Sequence, residues 1–388
     1  MKLYKLFINV STGIFLISFL CVSAYGQTTN NNFEASLTQD VASNMAGGIK
    51  TGQAQLGLIN LDMSLHTNSL NLWENGMFRV HIQNTYGQLP TENLIGDMQV
   101  FSNIENGTYT YLYQLWYKHT IGDFSILAGK HDLNEIFFAS EFAGAYINSS
   151  FGIMPVASLN VPVSIFPMTT LGAVANYDFN DTYSIYAGVY NGEPGPLTQS
   201  NFGTNINLNH NNGQFYVGEF HINGKIAEKQ GTYKIGAFHH SGEFSKLDNP
   251  ANTQKGSSGI YFIADQMIFG SMDYPNGGLG MLLQGGYSPA KSSINDFYLA
   301  YGLNYHKLFT ETDKMGLAVA HASMNSVLLD NNQPKYTKCE TAIELTYKYQ
   351  LANQLFIQPD LQYIIHPGMR SGLDNAFAGI FRIQWTIN

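Results

Sequence analysis

From Glu340 onward the chain alternates with period two. Glu340, Ala342, Glu344, Thr346, Lys348 and Gln350 fall on one face, and Thr341, Ile343, Leu345, Tyr347, Tyr349 and Leu351 on the other. Successive side chains of a strand point to opposite faces, so this is a β-strand with one polar and one apolar side. After Ala352-Asn353-Gln354 the pattern resumes: Leu355, Ile357, Pro359, Leu361, Tyr363 and Ile365 oppose Gln358, Asp360 and Gln362. In the last segment Phe377, Phe381, Ile383, Trp385 and Ile387 oppose Arg382, Gln384, Thr386 and Asn388. Near the start, Phe78, Val80, Ile82 and Tyr86 oppose Arg79, His81, Gln83 and Thr85. Between Tyr109 and His119, the reading sets Tyr111, Tyr113, Leu115 and Tyr117 against Gln114, Trp116 and Lys118. No helical period fits these windows, so the chain is all-β.

A soluble sandwich also alternates, and composition separates the two. Only 12% of residues are charged, about half of what a soluble domain carries. The apolar faces of these segments carry aromatic residues, and a transmembrane barrel places its interfacial girdles there. Mean hydropathy is −0.11, and beyond residue 22 no apolar run approaches the length of a membrane helix. A net charge of −9 speaks against a nucleic-acid partner.

The N-terminus reads as an export signal, residues 1–26. Lys2 and Lys5 precede an apolar stretch from Leu6 to Val22, then Ala24-Tyr25-Gly26 as a small-x-small cleavage site. A lipid anchor at Cys21 fits less well, because Leu20 is bulky where a lipobox wants a small residue. Cleavage removes two lysines and no acid, moving the net charge from −9 to −11, and leaves Cys339 without an intramolecular partner.

Residues 27–388 then make one barrel. Short turns at Ile121-Gly122-Asp123, Asn180-Asp181-Thr182 and Leu351–Gln354 alternate with longer polar loops at 88–107, 132–170, 192–213, 242–257, 325–339 and 366–375. That is the rhythm of an outer-membrane barrel. About fifteen strands are counted from Gly52 on, and Phe33–Ala42 supplies one more, giving sixteen antiparallel strands around an aqueous pore.

Several segments resemble the carbohydrate-selective porins, the OprB family. They are Leu127-Ala128-Gly129-Lys130-His131-Asp132-Leu133-Asn134-Glu135-Ile136-Phe137, Phe151-Gly152-Ile153, Ser102-Asn103-Ile104-Glu105 and Tyr113-Gln114-Leu115-Trp116-Tyr117. Gly259–Gln266 is similar to another strand of the family, and Ile357–Gly368 is the most specific match. The resemblance implies a sixteen-stranded porin that passes small sugars across the outer membrane of a Gram-negative bacterium. One departure is the ending Thr386-Ile387-Asn388, where many such barrels close on an aromatic residue.

A porin's sites are its pore-lining donors, acceptors and charges. Lys130, Asp132 and Asn134 are read on one strand face leading into the 132–170 loop. If the loop folds inward, Glu135 and Glu141 join them at a constriction; otherwise all are ordinary wall residues. Arg79 and Arg382 face the lumen in their strands, where a guanidinium fork suits a sugar diol or a wall carboxylate such as Asp360. The competing role is a salt bridge that keeps the barrel's shape. Trp116 lies on a polar face, suited to stacking on a sugar ring, or to anchoring at the membrane interface if the register slips by one.

No cofactor or metal is expected, because the histidines lack ligand spacing and His239-His240 point to opposite faces. Gly277-Gly278-Leu279-Gly280 is no dinucleotide fingerprint, and Gly256-Ser257-Ser258-Gly259 is no nucleophile elbow; both read as loop glycines. An enzyme is not supported. Two other readings stay open: a general or ion-selective porin, and a β-rich surface-binding protein with no channel. Outer-membrane lipid is an implied partner, and a homo-oligomer is compatible with the class.

Overall fold

The computed structural model describes residues 31–199, 201–204, 212–271, 277–330 and 336–387. The export segment read at 1–26, with Cys21, lies outside them. The strands are β1 (Asn32–Gly48), β2 (Gly52–His66), β3 (Gly76–Gly87), β4 (Tyr109–Ile121), β5 (Phe124–His131) and β6 (Thr170–Asp178). They continue as β7 (Tyr183–Asn191), β8 (Gln214–Ile226), β9 (Lys229–Ser245), β10 (Thr253–Gly270) and β11 (Gly278–Tyr287). The last five are β12 (Asn295–His306), β13 (Lys314–Met324), β14 (Cys339–Ala352), β15 (Leu355–Ile365) and β16 (Asp374–Ile387). Each pairs antiparallel with its sequence neighbours, and β1 pairs with β16, closing a barrel of sixteen strands. Closure leaves no sheet edge, which a strand protein needs in hydrocarbon, where a free backbone N–H has no partner.

At the seam Asp40 lies directly opposite Arg382, and the guanidinium grips both carboxylate oxygens at 2.7 and 2.8 Å. β1 is longer than the segment read from the sequence and completes the even count.

The faces sort as alternation requires. On β12, Phe297, Leu299 and Tyr301 are exposed on the outer surface, while Tyr298, Ala300 and Asn304 are buried inside. β14 buries Glu340, Ala342, Glu344 and Thr346, and β15 buries Gln358, Asp360 and Gln362. A buried wall residue here is one covered from within the lumen.

β4 departs from its reading. Opposite β3 the register runs His81↔Gln114 and then Ile82↔Leu112, so Tyr113 is an extra, bulged residue. A bulge resets the phase of everything beyond it. Tyr111 and Tyr113, expected on the lipid face, therefore point inward and are buried.

Other boundaries shift too. β9 and β10 run into the segment expected as a loop at 242–257, leaving 246–252. Gly256–Gly259 belongs to β10, with Gly256 at φ +80° beside a register shift, and Gly278–Gly280 opens β11. Both glycine clusters thus lie in strands instead of loops, except Gly277, which precedes β11.

The connection 132–169 packs against the inner wall, where small side chains make room for it. An added Cβ at Gly280 would lie 2.5 Å from the Phe142 ring, and one at Gly286 equally close to Val156. Ala300, Ala318, Ala320 and Ala322 continue this low surface in one cluster with Tyr146, Phe151 and Met154, and Ala342 clusters with Ile147.

Leu345 is exposed in the middle of β14's apolar face. Leu345→Arg is expected to destabilise the assembled barrel by about 2–4 kcal/mol if that face meets the bilayer midplane. The measurement is the urea dependence of the folded band's gel mobility in lipid vesicles; an unchanged midpoint would place this face outside the hydrocarbon.

Candidate functional site

The inward 132–169 loop crosses from β5 past β8, β9, β10, β12, β14 and β15, fastened at each by hydrogen bonds. Phe138 N donates to Glu219 at 3.0 Å, and Glu141 N to Asp265 at 2.8 Å. Ile147 N and Asn148 N donate to the two oxygens of Glu344 at 2.6 and 2.9 Å. Wall donors take the loop's carbonyls: Lys234 that of Ala139, Asn304 that of Phe142, Gln358 that of Ala145, and Tyr298 that of Ser150. A loop inside a barrel has no ladder of its own, so its backbone groups must find such partners.

Where the loop leaves β5 it meets the adjoining wall formed by β2, β3 and β4. Arg79 on β3 donates through Nε and Nη2 to Asp62 on β2, at 2.9 and 2.5 Å, and through Nη1 to Glu135 of the loop at 2.7 Å. The other oxygen of Glu135 accepts from Gln114 at 2.7 Å. Gln114 in turn accepts from the Trp116 indole at 3.0 Å, and the guanidinium lies 5.8 Å from the Trp116 ring centre. His131 stands edge-on to Trp116 and hydrogen-bonds the Tyr190 hydroxyl at 3.0 Å; His81 pairs with Asn60, also at 3.0 Å. Two carboxylates share one guanidinium, and the cluster stays partly open: side-chain exposure is 19% for Arg79, 21% for Asp62 and 34% for Glu135.

The structure thus brings Arg79, Trp116 and Glu135 together. Trp116 points inward but is only 7% exposed, with Arg79 against its ring, so it supports the guanidinium instead of offering a face to a sugar. Asp132 and Asn134 lie just behind. Asp132 accepts from Tyr113 and, at 2.8 Å, from Asn134 N; Asn134 donates to the carbonyls of Phe137 and Gly152. Both shape the loop's first turn. Glu141 is exposed further along the loop.

Lys130 does not share their face. It lies opposite Leu115 and Leu171, in register with the outer surface, and its ammonium is buried on the Thr169 carbonyl at 2.5 Å. Gly129, at φ +143°, distorts the strand just before it, and the strand ends one residue after it. Arg382 pairs with Asp40 and reaches Asn103 at 2.9 Å, not Asp360; Asp360 is buried and accepts from Gln362 at 3.0 Å. Asp62 escaped the sequence reading, although Asn60, Asp62 and Ser64 alternate there with Ile59, Leu61, Met63 and Leu65. Among the described residues, no three His, Cys, Asp or Glu side chains converge as a metal cluster.

A closed barrel of sixteen strands, lipid-compatible outside and with polar loops folded inside, is a porin. The family model of the carbohydrate-selective porins, OprB family, matches residues 50–387, so the chain belongs to that family. It is an outer-membrane porin for carbohydrates, and its family and fold are those of a channel rather than of an enzyme. Among solved structures it is similar to OprB of Pseudomonas putida at high pH, with 19% identity, a TM-score of 0.84 and coverage of 92% of this chain and 94% of that one. It is similar to the outer-membrane channel DcaP of Acinetobacter baumannii (10% identity, TM-score 0.55, covering 92% and 97%). It is also similar to OmpT of Vibrio cholerae in its trimer form (8% identity, TM-score 0.53, covering 92% and 99%). A comparison with curated proteins finds no match.

Burial pushes the Asp132 carboxyl up to about 7, against the Tyr113 hydroxyl and Asn134 amide that favour its ionised form. The folded state therefore holds this proton more tightly than the unfolded chain. Stability falls as pH rises from the ordinary carboxylate range towards 7, and is flat below both values. Asp132→Asn is expected to remove that slope and to stabilise the protein above pH 7 by at most about 4 kcal/mol. Urea midpoints at pH 5 and pH 8 test it; a slope unchanged in the variant would assign the titration elsewhere.

Proposed function

We propose that sugar moves past the Arg79–Asp62–Glu135 cluster and exchanges hydrogen bonds with it on the way. The supporting observation is the sharing of one guanidinium between a wall carboxylate and a loop carboxylate while all three remain open to the lumen. A hexose presents hydroxyls that both donate and accept. Arg79 supplies donors here, and Asp62 and Glu135 supply acceptors. Every one of these groups already has a protein partner, so a hydroxyl replaces an existing bond and gains little net free energy. Passage requires weak contacts of this kind, because a tight site would stop transport. Trp116 and Gln114 position the charged pair. Asp132 and Asn134 hold the loop that carries Glu135, and Lys130 fastens the end of the same loop through Thr169.

Arg79→Ala is expected to weaken block of single-channel current by a disaccharide about tenfold, the scale of one charge-assisted hydrogen bond. Lys130→Ala in a folded barrel leaves the block constant within about twofold. An unchanged block in folded Arg79→Ala would remove the cluster from the sugar path. Equal liposome swelling rates for sugars and for amino acids of similar size would reduce the channel to a general porin.

A homo-oligomer is the assembly we propose, supported by the trimer form recorded for the Vibrio cholerae protein. Sedimentation in mild detergent should give an oligomer; a monomer throughout would sink this reading.

A further inference from the structure

Three extracellular-end segments meet above β14: residues 49–51, the loop 88–108, and 366–373. Glu340 of β14 binds them from below. Its carboxylate accepts from Met98 N and Gly368 N, at 2.9 and 2.5 Å, and from Gln99 N at 3.0 Å. Leu94 closes the other side, its carbonyl accepting from Ile49 N and Lys50 N at 2.9 and 3.1 Å.

Asp97 sits in this junction, 6% exposed, and both of its carboxylate oxygens are buried without a hydrogen-bond partner. Two residues on, the side-chain oxygen of Gln99 is buried and unpartnered as well. Glu340 and Glu105 act on Asp97 as like charges; among the described residues none of the three has a Lys, Arg or His within ion-pair distance. Burial first, and then Glu340 and Glu105, push the Asp97 carboxyl well above the ordinary range, and the nearby Thr91 hydroxyl offsets only part of this. Glu105 accepts from Thr91 N through both oxygens, at 3.0 and 3.2 Å.

Three orphaned oxygens and two further carboxylates, with no cation among the described residues at ion-pair distance, gather negative charge that water alone leaves uncancelled. A water donates two hydrogen bonds and cancels no charge. All the ligating atoms are oxygens, which suits a hard divalent ion and not a zinc- or copper-class metal. We infer that the junction of residues 94–99 with Glu340 is a calcium site, with Asp97 and Gln99 as side-chain ligands and Glu340 and Glu105 supplying the remaining negative charge. The bound ion would tie the 88–108 loop to its neighbours at the channel's outer rim.

The test uses the full-length protein refolded without lipopolysaccharide, after EDTA treatment, titrated calorimetrically with calcium chloride to about 10 mM, the weak end of extracellular sites. One ion per chain is expected, together with slower chymotrypsin cleavage after Leu94 and Phe101 in the 88–108 loop. Asp97→Asn, close in shape and relieved of an unpaired charge, should weaken binding at least about tenfold, and Glu105→Gln should weaken it less. Asp248→Asn, at an exposed ion pair far from the site, should bind as the parent does. No calcium heat from the folded parent, or equal binding by folded Asp97→Asn, would overturn the assignment. The first result would mean that Asp97 is simply protonated, the second that calcium binds elsewhere on the chain.

Discussion

The fold inside the barrel rests on wall carboxylates that accept backbone N–H groups from the loops. Glu219, Asp265, Glu340 and Glu344 each take at least one amide from a segment that has no strand partner of its own. A charged acceptor makes a stronger hydrogen bond than a neutral one, and a carboxylate offers two oxygens to consecutive amides, as Glu344 does with Ile147 and Asn148. The channel therefore takes its internal shape from groups that a sequence reading assigns simply to a wet wall. Removing one of them would leave buried amides unsatisfied and move the loop that carries Glu135.

The apolar side of the same loop explains why the inner wall is so low where it docks. Phe142, Tyr146, Phe151 and Met154 turn toward strands whose inward positions are Ala or Gly. Gly302 is an instance: an added Cβ would lie 2.7 Å from the Tyr146 hydroxyl. That hydroxyl donates to the Leu303 carbonyl at 3.1 Å, so the aromatic ring is fixed at both ends. The loop is thus two-sided, with an apolar face on the alanine wall and a polar edge toward the opening.

Alternation was legible wherever a strand stayed regular, as in β14, β15 and β16, because period two reports faces directly. It failed at Tyr113, where one bulged residue shifts the phase, and at Lys130, where Gly129 distorts the strand just before its end. Periodicity also carries no information about which distant residues meet in space. Arg79 and Glu135 are 56 positions apart, Glu344 and Ile147 are 197, and Arg382 and Asp40 are 342. Those pairings depend on loop path and barrel closure. The face of Arg79 could be read in advance, whereas its sharing between Asp62 and Glu135 could not.

Two of the chain's three arginines follow one plan, and comparing them separates structure from transport. Each joins a carboxylate on a neighbouring strand to an inward loop: Arg382 joins Asp40 to Asn103, and Arg79 joins Asp62 to Glu135. Arg382 and Asp40 are sealed, at 9% and 0% side-chain exposure, one charge balanced by one. Such a pair fixes geometry at the closing seam and has nothing free to offer a solute. Arg79 is wetter and meets two acids, so one negative charge is left over beside water. Its carboxylate partners can exchange an arginine hydrogen bond for a sugar hydroxyl without stranding a buried charge. Exposure and charge balance, more than residue type, are therefore why we propose Arg79 rather than Arg382 for the sugar path.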